Sequence, residues 1–432
     1  MDPVLVGILG VIVLTILIFL GLPIVFSAAF VGLSGTFYLA GYDAAAGLAG
    51  FLPFEAMSKY SFSVIPLFLI MGMLAYYGGV TDELYETSQK IFGHLPGGLA
   101  IATAMASAMF AAASGASTAS AAVMSRVALP IMRQAGVDRG LSVGVIAASG
   151  TLASLIPPSG LIVIYGLITE QSIGKLLIGG IIPGIISVVI YAGMIYFRCM
   201  INPDLHPRQP KYPLSVRLKS IKGIWGAALI FLVIVVGIYT GIFTPVEAAG
   251  VGSIAALFIA VVSGRFKWKM VSKSIEQMGV TSVMLLFNLA GIYLFVRFMA
   301  ISDSPGILAE WVGLLGINRY FILAGFLSIY VVLGMAMSAL AMMILTVPVV
   351  LPSIIMMGWD PIWFGIVVIK MCEIALVSPP VGMNVYVVNS VNPDFSVYEI
   401  FKGIMPFLAM DFLTLIVLII FPSLVTWLPS LM

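Results

Sequence analysis

Apolar segments long enough to cross a hydrocarbon core ~30 Å thick recur along the whole of this sequence. They fall at 4–20, 22–41, 62–79, 97–124, 141–168, 176–200, 223–240, 246–263, 278–301, 319–357, 361–390 and 404–428. A segment in lipid must satisfy its backbone groups internally, so these are expected to be helices. A β-barrel would show short stretches of alternating polarity, and the sequence does not. Several segments are too long for one crossing, and others carry Pro or Gly in mid-run. Both features predict re-entrant hairpins and broken helices. Composition agrees: 61% of residues are apolar and 9% are charged, against roughly 45–50% apolar in soluble domains. So little charge leaves no material for a sizeable soluble domain.

The formal net charge is +2. No basic face exists outside short loops, so the expected partner is the lipid bilayer and not a nucleic acid. Cys199 and Cys372 sit in apolar runs and read as packing residues. His94 and His206 are too few for a His-based transition-metal site. The N-terminal run MDPVLVGILGVIVLTILIFLG carries Asp2 where a secretory signal would be basic, so it reads as a retained spanning helix. Positive charge gathers at 198–222, with Arg208, Lys211, Arg217 and Lys219, and again at Arg265, Lys267, Lys269 and Lys273. A pair of spans separates these loops, so they share one side, which the positive-inside rule makes cytoplasmic. The turn GIYTGIFTPVEAA at 237–249 then faces the other compartment. Glu83, Glu86 and Lys90 mark 80–96 as an interfacial segment.

A repeat runs through the sequence at a constant offset of 222 residues. Leu129-Pro130 matches Leu351-Pro352. Gly136 and Asp138 match Gly358 and Asp360, and Ala153 matches Ala375. Pro157-Pro158 and Gly160 match Pro379-Pro380 and Gly382. Two Pro-Pro-x-Gly matches in register with two Gly-x-Asp matches are not a property of apolar background. Duplicated halves interrupted at corresponding positions are the mark of secondary transporters. Pro removes a backbone donor and stops the helix. The freed groups survive in a membrane only inside protein or beside a wet cavity. There, carbonyl oxygens suit a small cation and half-helix N-termini suit an anion.

Polar side chains stand beside both breaks. The run 109–125 holds Ser114, Ser117, Thr118 and Ser120 around Gly115, which suits either cation binding or close helix packing. The first break adds Ser149, Thr151, Ser154 and Ser159. In the second half, 334–352 offers Gly334, Ser338 and Thr346, and the break offers Ser378 and Asn384. Glu373 lies in an apolar run, as a functional ionisable group or as the partner of Lys370 one helix turn away. Arg297 and Asp411 raise the same question. Arg126, Arg133 and Arg139 read as boundary residues.

The chain resembles the large membrane subunit of the tripartite ATP-independent periplasmic (TRAP) transporters, the DctM-like family. GHLPGGLA at 93–100, SGAS at 114–117 and IPPSGLIVIYG at 156–166 resemble that family's first half. TPVEAA at 244–249, LTVPVVLP at 345–352 and SPPVGMNVYV at 378–387 resemble its second. The resemblance implies an all-α polytopic membrane protein of the elevator type. Its fold would be two inverted repeats with re-entrant helical hairpins and broken helices. On this chain it implies scaffold helices and an interfacial segment at 1–96 and a first transport repeat at 97–175. Scaffold helices with basic loops would follow at 176–301, a second transport repeat at 302–395 and a C-terminal helix at 396–432. It further implies sodium as the coupling ion. One ion site would fall at Ser114, Gly115, Ser117, Thr151, Pro157 and Ser159. The second would fall at Gly334, Ser338, Ser378, Pro379 and Gly382. Thr118, Pro158, Pro380 and Asn384 adjoin these positions. Many relatives carry acidic residues where Ala119, Ser120, Met337 and Ser338 stand here, so hydroxyls and backbone carbonyls are the expected ligands.

The expected function is sodium-driven uptake of an organic acid across a bacterial inner membrane. The implied partners are a small membrane subunit and a periplasmic substrate-binding protein. No enzymatic activity is expected, and no GxxxxGK[ST] loop points to ATP. Two alternatives stay open. One is a sodium/carboxylate transporter of the same superfamily that needs no binding protein. The other is an intramembrane hydrolase using Ser34 of Gly32-Leu33-Ser34-Gly35, although His94 and His206 lie in polar segments away from it.

Overall fold

The computed structural model describes residues 1–432 except Gly115, Ala116, Arg208, Met335 and Ala336, and all side chains but those at 56 and 112–114. Every regular element among the described residues is helical.

The 222-residue offset, read from 129–160 in the sequence, runs through the whole fold. Helices Pro3–Phe19, Ile24–Ala40 and Val80–Phe92 have counterparts in Trp225–Tyr239, Pro245–Val262 and Ser304–Leu314. The first hairpin, Gly98–Ser114 and Ser117–Gln134, corresponds to the second, Arg319–Gly334 and Ala339–Met356. The first broken helix, Arg139–Thr151 and Gly160–Thr169, corresponds to Pro361–Val377 and Met383–Val391. One further spanning helix closes each half: Ile181–Ile201 and Val397–Ile420.

The repeated Gly-x-Asp now has a physical reason. Gly136 and Gly358 leave the hairpin helices with φ of 72° and 77°, a left-handed conformation that glycine adopts without a Cβ penalty. Asp138 and Asp360 then cap the broken helices. Asp138 accepts from the Leu141 amide, and Asp360 accepts from the Ile362 and Trp363 amides.

The two halves are inverted. The feet of the first hairpin rest on the first basic loop, where the Leu99 amide donates to His206 Nε2 and the Asp138 amide to the Leu205 carbonyl. The second broken helix starts at the other end of the bundle. Tyr165 donates to the Pro361 carbonyl, and Gly179 lies against Ile362. Gly174, on the same short helix, lies against Ile238 and Pro245 at the far turn. Trp225–Tyr239 separates that turn from the basic loop.

The centre of the molecule is formed by the first halves of the broken helices. Every residue from Leu141 to Thr151 and from Trp363 to Val377 is buried. Large apolar side chains on the outer helices are exposed instead, among them Phe26, Phe258 and Val283. Among the described residues, seven helices are long and apolar enough to cross a membrane. The chain is a multi-pass membrane protein.

Some boundaries differ from the sequence reading. The runs 97–124 and 319–357 each hold parts of two helices, as their excess length predicted: Gly98–Ser114 with Ser117–Gln134, and Arg319–Gly334 with Ala339–Met356. Lys269 and Lys273 lie on the helix Trp268–Ser302 and not in a loop. Tyr42–Ser58 is an additional helix. Its Asp43, Gly47, Gly50, Pro53 and Glu55 hide it from a hydropathy reading. Val80–Phe92 is held to both basic loops. Arg265 pairs with Glu83 at 3.1 Å, Arg217 donates to the Ile91 carbonyl, and Thr87 donates to the Ser220 carbonyl.

Candidate functional site

Both Pro-Pro pairs interrupt their helices outright. The first broken helix passes from Thr151 through a short 3-10 turn, Leu152–Ser154, to Pro157-Pro158. It restarts at Gly160, with Ser159 as its cap. Ser159 donates to the Ser154 carbonyl and accepts from the Ile162 amide at 3.4 Å. The second ends at Val377, crosses Ser378 and Pro379-Pro380, and restarts at Met383 after Gly382. Gly382 has a φ of 49° and packs against Phe401. The Thr151 hydroxyl donates to the Ala148 carbonyl and the Ser378 hydroxyl to the Ile374 carbonyl, both at 2.7 Å. Those protons are occupied, but the hydroxyl lone pairs remain available to a cation.

Asn384 brings the two halves together. Its Nδ2 donates to Ser117 Oγ at 3.0 Å and to the Ala147 carbonyl at 3.1 Å. The second break thus meets the tip of the first hairpin and the centre of the first broken helix. Packing is crossed in the same sense on both sides. Met383–Val391 lies on Ser117–Gln134, and Gly160–Thr169 lies on Ala339–Met356. The tip of the second hairpin sits on the second broken helix. A Cβ on Gly334 would stand 2.5 Å from Ala375 Cβ, and Cys372 Sγ donates to the Ala339 carbonyl. Ser338 caps the returning helix by accepting from the Ala341 amide.

Not every expected residue gathers there. Gly115 and the Ser114 side chain lie outside the described residues. Thr118 is half-buried beside Ser117. Pro157 and Pro158 are buried. Pro157 lines an apolar cavity with Met105 and Ile181, and Pro158 faces Phe68 and Leu285. Pro379 and Pro380 are exposed. The first proline pair is therefore covered, while the second stands open.

The intramembrane charges resolve into a network. Lys370 Nζ lies 2.8 Å from Glu373 Oε2, 2.7 Å from Asp411 Oδ1 and 3.3 Å from Ser187 Oγ. Tyr191 donates to Asp411 Oδ1 at 2.7 Å. All three charged side chains are fully buried. The cluster ties Pro361–Val377 to Ile181–Ile201 and Val397–Ile420. Sequence spacing gave the Lys370–Glu373 pair, but nothing local linked either residue to Asp411 or Tyr191.

Arg297 lines a separate cavity of about 640 Å³ with Glu55, Lys59 and Glu170. Arg139 pairs with Glu399 at 2.7 Å, and Arg133 pairs with Asp394. Both guanidinium groups stand over the Phe395 ring. Ser34 donates to the Phe30 and Val31 carbonyls. Its neighbouring glycines let two helices approach, Gly32 against the Leu294 backbone and Gly35 against Phe298.

Inverted halves whose hairpins and broken helices meet at one centre define a permease of the secondary-transporter class. A family model described as "Tripartite ATP-independent periplasmic transporter, DctM component" matches residues 11–424. A C4-dicarboxylate TRAP transporter large permease of Pseudomonas aeruginosa is 33% identical, over 92% of each chain. A sialic acid TRAP transporter large permease of Vibrio cholerae is 29% identical, over 96% of each chain. A 2,3-diketo-L-gulonate TRAP transporter large permease of Escherichia coli is 28% identical, over 94% of this chain and 95% of that one. Among solved structures, the Alcanivorax borkumensis YdaH transporter superposes with a TM-score of 0.63 at 16% identity. That match covers 89% of this chain and 90% of the other, and it supports the fold. The chain belongs to the DctM family, the large permease component of TRAP transporters. It is a transport component and not an intramembrane hydrolase.

Proposed function

We propose that this chain imports an organic acid by coupling it to sodium entry, with its hairpins and broken helices moving as one unit. The observation that carries the proposal is the convergence at Asn384, where Ser117 Oγ and the Ala147 carbonyl meet the second break. Asn384 Nδ2 uses one lone pair on each of these oxygens; the ligands proposed for a small hard cation are the remaining Ser117 hydroxyl lone pair and Asn384 Oδ1, which lies 3.4 Å from Ser117 Oγ. Sodium binds there and at the second hairpin tip, around Ser338, Ser378 and Gly382. The bound cations neutralise the broken ends and complete a pocket for a carboxylate. Each positive charge moved inward gains ~2.3 kcal/mol per 100 mV of membrane potential.

The moving unit holds both hairpins and both broken helices. The Lys370 cluster ties Ile181–Ile201 and Val397–Ile420 to it, so in this proposal both helices move with the repeats, a departure from the division at 176–301 and 396–432 that the resemblance implied. The remaining outer helices form the scaffold. The basic loops face the cytoplasm, and the chain sits in a bacterial inner membrane. A small membrane subunit supports the scaffold, and a periplasmic binding protein delivers the solute to the far side. The substrate is an organic acid. The relatives named for C4-dicarboxylates, sialic acid and 2,3-diketo-L-gulonate have a carboxylate as their common chemistry.

The test is uptake into proteoliposomes holding this chain and both partner proteins. Uptake of an organic acid bound by the partner should rise with an inward sodium gradient. Uptake unchanged when potassium replaces sodium would overturn the coupling.

A further inference from the structure

An apolar cavity of about 500 Å³ lies between the first hairpin and the outer helices. Met105, Met109, Ile156, Ile181, Ala228 and Phe231 line it. Its size is that of a small-ligand pocket, which typically spans ~300–1,000 Å³. Ile185 and Val189, on its rim, are 58% and 61% exposed, so it opens sideways towards the bilayer.

A second, polar pocket of about 330 Å³ lies at the basic loop, along the same helix Val80–Phe92 and the segment 219–225. The two adjoin along two segments of chain: Ser88 and Ile224 line the first, and their chain neighbours Thr87 and Gly223 line the second. The polar pocket holds Glu83, Glu86, Lys90, Lys219, Lys222 and Trp225. Its acids are already paired, Glu83 with Arg265 and Glu86 with Lys90. Lys219 and Lys222 have no hydrogen-bond or ion-pair partner among the described residues, and both are exposed. Leu218 and Ile221 beside them are 57% and 48% exposed, which sets this segment at the membrane surface.

We propose that this two-part cleft binds an anionic phospholipid. The phosphate lies against Lys219 and Lys222, and an acyl chain enters the cavity between Met105 and Phe231. The order of chemistry along the cleft is that of the lipid: cationic at headgroup depth, then Trp225 at the interface, then wholly apolar. Basic pockets between spanning helices on the positive side suit such headgroups. A partner helix would fill the apolar part but has no use for two unpaired lysines at its rim. The chain in the cavity touches the hairpin at Met105 and Met109 and the break at Ile156 and Pro157, so occupancy bears on the position of those elements.

The full chain is reconstituted in phosphatidylcholine vesicles with or without phosphatidylglycerol, and its unfolding temperature and retained lipid are measured. Phosphatidylglycerol should raise the unfolding temperature and be retained in preference to phosphatidylcholine. In Lys219→Gln/Lys222→Gln that preference should fall about tenfold. Ala228→Trp, which fills the cavity and leaves both lysines in place, should lose it as well. Glycerol phosphate, with the charge but no chain, should give no stabilisation. Equal retention of the two lipids by the wild type would overturn the proposal. So would stabilisation by glycerol phosphate, or an unchanged preference in Ala228→Trp, because the bound group would then be a headgroup alone. A preference abolished by adding the small membrane subunit would make the occupant a protein helix and overturn it too.

Discussion

Asn384 Nδ2 stands 3.0 Å from Ser117 Oγ, although 267 residues separate them in the chain. The contact crosses from the second repeat to the first. It joins the restart of one broken helix to the tip of the opposite hairpin. Asn384 is fully buried, and its second donor goes to the Ala147 carbonyl. One amide therefore fixes three of the elements that would have to stay in register during transport.

Asn384→Ala should break that register. A buried acceptor left unpaired costs about 1–3 kcal/mol. Uptake in proteoliposomes should fall about tenfold or more, while a folded, monodisperse protein is still recovered. Ser117→Ala removes one contact and should cost less. Full activity in Asn384→Ala would remove this contact from the mechanism.

The Lys370 cluster should behave as a structural unit. Lys370→Met strands two buried carboxylates and should destabilise the protein by about 3–5 kcal/mol. Replacing Lys370, Glu373 and Asp411 together by apolar residues of similar size should recover most of that loss. Thermal unfolding in detergent reads both. A single variant as stable as the wild type would show that the cluster does not hold its three helices.

His206 should make the first hairpin's foot sensitive to acid. Its Nε2 accepts from the Leu99 amide, which only the neutral imidazole can do. Burial holds its pKa below the ordinary histidine value, which is about 6.5. Above that value both folded and unfolded chains carry neutral imidazole, and pH has no leverage. As pH falls through it, the unfolded chain takes up the proton first, so stability is lost on the acid side. The wild-type unfolding temperature should drop between pH 7 and about pH 5.5. His206→Asn can still accept from Leu99 but does not titrate there, and it should flatten that slope. Equal slopes would contradict the role.

Much of the architecture was legible because two kinds of signal are local. Hydropathy marks helices that face lipid, and Pro-Pro-x-Gly marks where a helix must stop. The Gly-x-Asp matches were visible for the same reason, since a left-handed exit and an N-cap are properties of neighbouring residues. Tyr42–Ser58 was missed because Gly47, Gly50, Pro53 and its acids lower its hydropathy. The extent of the repeat was missed because outer helices in lipid need only be apolar, so identity fades while the geometry persists. At the site, Asn384 and Ser117 could be named as candidates, but their meeting could not. Neither could Ala147, which contributes a backbone carbonyl and leaves no signature in its side chain. Asp411 and Tyr191 reach Lys370 from other helices, which spacing along the chain does not register.

Sodium binding to the purified chain tests the central claim most directly, without partner proteins or substrate. Unfolding temperature is followed while sodium chloride replaces choline chloride at constant ionic strength. A saturable rise is expected in the wild type, with potassium far less effective, and the rise should weaken in Ser117→Ala and Asn384→Ala. No difference between sodium and choline, or the same sodium response in both variants, would contradict a cation site at the meeting of the two repeats.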